Sequence, residues 1–176
     1  FGNAESIVNI QGFIGSSYAD SFTGDSGNQV FVNSAGNDTF TGAEGSDTLD
    51  FSGLTNAITL NASTGAVSST ASGTDTISGL ETFLTGSGND NITGSDAAET
   101  FNANAGNDSI TAGAGNDTII ASTGNDTIVG GDDTDTLTFA SANTSITVDL
   151  SDTSAQSTGL GADVISGIEN IIGSNT

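Results

Sequence analysis

Large apolar side chains recur every nine residues in two runs: Phe13, Phe22, Phe31, Phe40 and Leu49, then Phe83, Ile92, Phe101, Ile110, Ile119, Ile128 and Leu137. Two places before each stands a carboxylate or its amide counterpart. The first run has Gln11, Asp20, Gln29, Asp38 and Asp47; the second has Glu81, Asp90, Glu99, Asp108, Asp117, Asp126 and Asp135. The acid closes a small, flexible stretch such as Ala105-Gly106-Asn107-Asp108. Gly enters left-handed conformations freely and Asn tolerates them, so this stretch predicts a tight turn. The residues after it, such as Ser109-Ile110-Thr111, alternate polar, apolar, polar, which predicts a very short strand with one inward side chain. Two turns and two strands close a flattened coil every 18 residues. Stacked coils pair as parallel strands about 4.8 Å apart. The inward residues then form ladders such as Phe83–Phe101–Ile119–Leu137 and Ile92–Ile110–Ile128. The expected fold is an all-β parallel solenoid with a thin core, in which each coil depends on its neighbours.

A longer repeat lies over the short one. Asp47-Thr48-Leu49-Asp50-Phe51 matches Asp135-Thr136-Leu137-Thr138-Phe139, and the register holds to Asp75–Glu81 against Asp163–Glu169, an offset of 88. Phe13 to Asp38 matches Phe83 to Asp108 at an offset of 70, which differs from 88 by one 18-residue coil. One continuous solenoid over 1–176 is expected. Its first unit is about 10–79 with nonapeptide block 11–51, and its second about 80–167 with block 81–139. A third unit starts at 168–176, since 1–18 aligns with 159–176. Segments 50–80 and 138–168 leave the nine-residue frame but keep strand-like triplets in Ala57-Ile58-Thr59-Leu60, Thr76-Ile77, Ile146-Thr147-Val148 and Val164-Ile165. Gly, Ser, Thr and Asn separate these as turns. Wider coils continuing the stack are expected, the gapless register arguing against a flexible linker.

Composition restricts the chemistry. The 176 residues include 22 acids, no Lys or Arg, and no His, Cys, Met, Pro or Trp, for a net charge of −22. With no cationic side chain to neutralise phosphate, nucleic-acid binding and attraction to anionic membranes are excluded. Zinc, haem and iron–sulfur sites, disulfides and nucleophile–histidine pairs are excluded too. Oxygen is the remaining ligand type, and it suits hard cations. No apolar run approaches a membrane span. The chain opens at Phe1 without a charged-then-apolar leader, as expected of a processed product or an excerpt. Absence of Cys fits an extracellular protein stapled by something other than disulfides, and equally a reducing compartment.

Stacking places Asp90, Asp108 and Asp126 in one column, and Glu99, Asp117 and Asp135 in another on the opposite edge. In the first unit the columns hold Asp20 with Asp38, and Gln29 with Asp47. Like charges about 5 Å apart repel by roughly 3 kcal/mol at an effective dielectric near 20. A divalent cation between successive carboxylates converts that repulsion into cross-linking. Nearby turn carbonyls raise the available oxygens to the six or more that calcium takes, whereas magnesium's strict octahedron suits them poorly. Hydrogen-bonded turns of a metal-free solenoid are the alternative. Turns such as Asn37-Asp38-Thr39 and Asn125-Asp126-Thr127 also read as glycosylation acceptors, but a glycan there would crowd the ion. Paired carboxylates can hydrolyse glycosides; here they repeat down columns with no aromatic cleft, so no catalytic residue and no enzyme are expected.

Turns Gly36-Asn37-Asp38, Gly88-Asn89-Asp90, Gly106-Asn107-Asp108, Gly115-Asn116-Asp117 and Gly124-Asn125-Asp126 carry a resemblance. They are similar to the glycine- and aspartate-rich nonapeptide of RTX proteins (repeats-in-toxin, or haemolysin-type calcium-binding repeats), over roughly 11–51 and 81–139. The intervening segments, with Gly79-Leu80-Glu81 and Gly167-Ile168-Glu169, resemble those between RTX blocks of large bacterial surface proteins. The resemblance implies a parallel β-roll with calcium between successive turns on each edge, each ion held by acids from two turns 18 apart and by backbone carbonyls. For Asp90 with Asp108 the implied carbonyls are Gly86, Gly88, Ala103 and Ala105. For Asp108 with Asp126 they are Asn104, Gly106, Ala121 and Thr123. For Asp117 with Asp135 they are Gly113, Gly115, Gly130 and Asp132. Weaker sites are implied at Glu99–Asp117 and Asp20–Asp38, where Ala97 and Tyr18 replace the family's Gly. The weakest is Gln29–Asp47, where Asp25 and Glu44 stand nearby. Asp133 departs from the family pattern in replacing Gly. Five or six Ca2+ ions are expected, offsetting about half of the acidic charge.

The expected function is an extracellular or cell-surface calcium-binding structural module, of an adhesin stalk, surface layer or matrix fibre. The resemblance implies export by a type I route and folding on arrival in calcium. Its expected partners are further repeats of a longer chain or copies of itself end to end in a filament or lattice, with no nucleic acid and no membrane span. The alternative is the RTX secretion and folding segment of an exported enzyme or toxin. A lesser one is an ice-binding solenoid using the Asn89, Asn107 and Asn125 column.

Overall fold

The computed structural model describes residues 10–175. The sequence alignment of 1–18 with 159–176 falls partly on residues outside that range.

Short strands separated by tight turns wind through two facing sheets. The first coils use β1 (Gly12–Ile14), β2 (Ser21–Thr23), β3 (Val30–Val32), β4 (Thr39–Thr41) and β5 (Thr48–Asp50). A wide coil follows with β6 (Ile58–Asn61), β7 (Ala66–Ser69) and β8 (Gly73–Ser78). Regular coils resume with β9 (Thr82–Leu84), β10 (Asn91–Thr93), β11 (Thr100–Asn102), β12 (Ser109–Gly113), β13 (Thr118–Ile120), β14 (Thr127–Gly131) and β15 (Thr136–Thr138). The second wide coil carries β16 (Gln156–Ser157) and β17 (Ala162–Ser166), and β18 (Asn170–Ile172) follows. One sheet runs β1-β3-β5-β9-β11-β13-β15-β18; the other runs β16-β17-β14-β12-β10-β6-β7-β8-β4-β2. The architecture is the parallel β-roll solenoid that the nine-residue period implies.

Register follows the 18-residue rule in both blocks. Phe83 pairs with Phe101, Phe101 with Ile119 and Ile119 with Leu137 in one sheet. Ile92 pairs with Ile110 and Ile110 with Ile128 in the other. These apolar rungs are buried between the sheets. Parallel neighbours place like rings face to face: Phe13 on Phe31 at 5.1 Å, Phe22 on Phe40 at 6.0 Å and Phe83 on Phe101 at 5.6 Å between centroids. Each such pair adds about 0.5–1.5 kcal/mol beyond the burial of its area.

The wide coils hold the main departure from an all-parallel stack. In one sheet β5 and β9 are direct neighbours, with Leu49 beside Phe83. In the other, β4 and β10 are separated by β8, β7 and β6. The β6–β7 and β7–β8 pairs are antiparallel. The turn between β6 and β7 explains the reversal. Asn61 Oδ1 accepts the Thr64 amide, and Gly65 takes a φ of +69°, which closes a hairpin. In the second unit, Ala162–Ser166 and Gln156–Ser157 repeat β8 and part of β7 at an offset of 88. Ile146-Thr147-Val148, the counterpart of β6, forms no strand among the described residues. Its counterpart in the first unit is held by β10 on one side and β7 on the other; 146–148 has neither pairing. Among the described residues no helix is long and apolar enough to cross a membrane.

Candidate metal centre

Each site begins with a turn that brings the backbone of one coil against that of the next. In Gly124-Asn125-Asp126 the glycine has φ +141°, and a Cβ there would lie 1.6 Å from the Gly106 carbonyl oxygen of the preceding coil. A side chain cannot be accommodated at that distance, so only glycine permits this stacking. The turns are tied along the edge as well. Gly106 donates its amide to the Thr123 carbonyl at 3.1 Å, and Asn125 donates its amide to Asn107 Oδ1 at 2.7 Å. The Asn column is thus occupied in bracing turns.

The turn fixes the carboxylates. Asp90 donates its amide to Asp108 Oδ1 at 2.8 Å, and Asp108 donates its own to Asp126 Oδ1 at 3.0 Å. On the opposite edge the Glu99 amide reaches Asp117 Oδ1 at 2.8 Å and the Asp117 amide reaches Asp135 Oδ1 at 2.9 Å. In the first unit the Asp20 amide bonds Asp38 Oδ1 at 2.9 Å, and the Gln29 amide bonds Asp47 Oδ1 at 2.7 Å. All nine acids expected as ligands from the sequence therefore line the two edges, in the expected columns.

One carboxylate oxygen is used in this way, and the other often has no partner. Oδ2 of Asp47, Asp75, Asp90, Asp108, Asp117 and Asp135 is buried without a hydrogen-bond donor. A buried anionic oxygen without a donor is costly, so the cluster calls for a counter-cation. The protein offers none, having no Lys, Arg or His. Without an ion, burial pushes Asp108 up to about 7, assisted by the neighbouring charges of Asp126 and Asp90 and opposed by the Asp90 amide. Burial likewise raises Asp90, Glu99, Asp117, Asp126 and Asp135. Among the described residues no three acids converge on one point, so an ion must complete its shell from backbone carbonyls. This donor set of paired carboxylates and turn carbonyls is all oxygen and flexible in geometry, as calcium requires.

Of the residues whose carbonyls are implied, Gly113 and Gly130 stand at the ends of β12 and β14, and the rest lie between strands. Thr123 accepts from the Gly106 amide at 3.1 Å and Gly113 from the Asp132 amide at 2.9 Å, while Ala103 accepts the Thr85 hydroxyl at 3.3 Å. Each retains a second lone pair. Asp133, in place of the family's Gly, adopts φ +77° and accepts the Gly115 amide. At the Gln29–Asp47 pair, expected from the sequence to be the weakest, Gln29 Nε2 donates to Asp25 Oδ1 at 2.8 Å, which brings Asp25 beside the column, while Glu44 is exposed. Glu99 binds Ser95 through both oxygens, and Asp20 is only partly buried beside exposed Tyr18.

The columns extend beyond the sequence-derived ligands. The Asp38 amide bonds Asp75 Oδ1 and the Asp126 amide bonds Asp163 Oδ1, at 2.8 and 2.9 Å. The Asp47 and Asp135 amides bond Oε2 of Glu81 and Glu169, both at 2.8 Å. These pairs are 37 and 34 residues apart rather than 36, a slip that puts Asp75, Asp163 and Glu169 outside the nine-residue frame and hides the pairing of Asp47 with Glu81. The signal available was the match of Asp75–Glu81 with Asp163–Glu169.

The family model described as RTX calcium-binding nonapeptide repeat (4 copies) matches residues 23–53, 69–110, 102–137 and 111–145. Together these span more than half of the chain. No curated protein matches it.

Proposed function

Since the chain belongs to the RTX calcium-binding nonapeptide repeat family, we propose that it is a structural module of an exported bacterial surface protein, set into shape by calcium outside the cell. The calcium-binding repeat is the family's own property. The observation that carries the reading is the burial of unpartnered carboxylate oxygens in two columns without any cationic side chain to face them. Such a chain is poorly folded where calcium is scarce and rigid where it is abundant, which suits passage through a type I exporter followed by folding outside. A mechanical rather than catalytic role is supported by the absence of His, Cys and any basic residue. It is supported further by the use of both carboxylate columns in the stack itself.

An adhesin stalk, surface layer or matrix fibre would use the module as one length of a longer rod, extended by further units or by copies end to end. Labelling of intact source cells with an antibody to the calcium-loaded chain tests this: surface staining that is lost in chelator is expected. Signal confined to the interior of permeabilised cells contradicts it. A chain carrying one upstream catalytic domain and few repeats would instead favour the secretion-segment alternative. Ice binding has less support, because the outward Asn107 and Asn125 side chains already accept backbone amides of neighbouring coils.

A further inference from the structure

We propose that cations also bind across the wide coils, where Asp75 and Glu81 supply the second carboxylate in the first unit and Asp163 and Glu169 in the second. This rests on the calcium reading above and adds sites that bridge the wide coils, completed by Asp75, Asp163 and Glu169 from outside the nine-residue frame and by Glu81 at the start of the second block. Asp75 reproduces the arrangement of Asp108. Its Oδ1 accepts the amide of the preceding acid, Asp38, at 2.8 Å; its Oδ2 is buried without a partner; and the residue is 1% exposed. The turn around it is also equivalent. The Gly36 amide donates to the Ser72 carbonyl at 2.8 Å, as Gly106 does to Thr123. Gly73 has φ +105°, and a Cβ there would lie 2.1 Å from the Gly36 carbonyl oxygen. The Thr74 amide bonds Asn37 Oδ1 at 3.0 Å, continuing the Asn bracing of the regular turns.

The opposite edge has the same design with a longer acid. Asp47 Oδ2 and Asp135 Oδ2 are buried and unpartnered, each facing a turn whose Glu accepts its amide. The second unit differs at one point: the Thr158 hydroxyl donates to Asp163 Oδ2 at 2.5 Å, so Asp126–Asp163 is the weaker of the two Asp pairs. The consequence is structural. A wide coil inserts a hairpin into one sheet, and cations at Asp38–Asp75 and Asp47–Glu81 lock that coil to the first block, so that calcium joins the two blocks into one stack.

Native mass spectrometry of the full chain in calcium counts the ions. Asp75→Asn and Glu81→Gln are each expected to bind one ion fewer than the unaltered chain, while exposed Asp152→Asn keeps the full number. Equal counts in folded Asp75→Asn and the unaltered chain overturn the proposal. Should Asp75→Asn not fold, crystals of the unaltered chain grown in calcium decide the matter. An ion within about 2.3–2.6 Å of Asp75 Oδ2 is expected. Ions at Asp108–Asp126 with none at Asp75 overturn this inference alone; ions at neither overturn the calcium reading with it.

Discussion

Asp108 and Asp126 stand one coil apart, joined by a 3.0 Å hydrogen bond from the Asp108 amide to Asp126 Oδ1, while Asp108 Oδ2 is buried with no partner. Asp108 is thus paired with an acid of each neighbouring coil, Asp90 on one side and Asp126 on the other, and on the calcium reading it serves two ions. Asp108→Asn keeps an oxygen for the Asp90 amide and removes the charge. A charged hydrogen-bonding contact is worth about 1.5–3 kcal/mol, and tenfold in affinity corresponds to about 1.4 kcal/mol. The calcium midpoint of folding, followed by circular dichroism, should therefore rise by roughly ten- to a hundredfold. Asp152→Asn, in an exposed turn, should leave it unchanged; equal midpoints for the two variants count against the assigned columns.

Protons compete for the same oxygens. In the metal-free fold burial raises Asp108 to about 7 and Asp75 to about 6, from 3.8. Because the folded values exceed the unfolded ones, the protonated acids stabilise the fold below about pH 4, and that contribution is lost as pH rises to about 7. In chelator, β structure should therefore be greater near pH 4 than near pH 8. Calcium affinity should run the other way, rising across this interval as fewer protons are displaced. No gain of β signal on acidification of the calcium-free chain would contradict this.

Close backbone approach is a separate requirement. Gly124→Ala places a methyl where the Gly106 carbonyl lies 1.6 Å away, at a φ of +141°. It should raise the calcium midpoint and lower the melting temperature of the loaded chain. Gly53→Ala meets nothing within 4 Å and should match the unaltered chain in the same thermal scan.

The core can be tested without touching a ligand. Phe101 is fully buried and stacked on Phe83 at 5.6 Å. Phe101→Ala should cost about 3–5 kcal/mol in urea unfolding of the calcium-loaded chain. Its ion count by native mass spectrometry should not change, separating loss of core from loss of ligands.

Where the sequence repeats strictly, structure could be read from it. Ile110 and Ile128 share a face because 18 residues close one coil, and their acids two places earlier are thereby forced into a column. The wide coils were less legible, since their path depends on long-range pairing. Short triplets such as Ile58-Thr59-Leu60 do not say whether the next strand runs parallel or doubles back, and the Gly65 turn decides for a hairpin. Asp75 and Asp163 escaped for a related reason: a coil of 37 residues puts them at the right edge but outside the frame. Ile146-Thr147-Val148 has a strand's alternation, yet it lacks the pairing that β10 and β7 give to β6.

Small-angle X-ray scattering during a calcium titration tests the central claim most directly, with magnesium as control. At neutral pH in chelator an expanded chain is expected, with a radius of gyration of about 45 Å for this length. Saturating calcium should reduce it to less than half that value, and magnesium at the same concentration should not. A chain equally compact in chelator and in calcium would contradict the account, because carboxylate columns this densely charged would then be holding together without an ion.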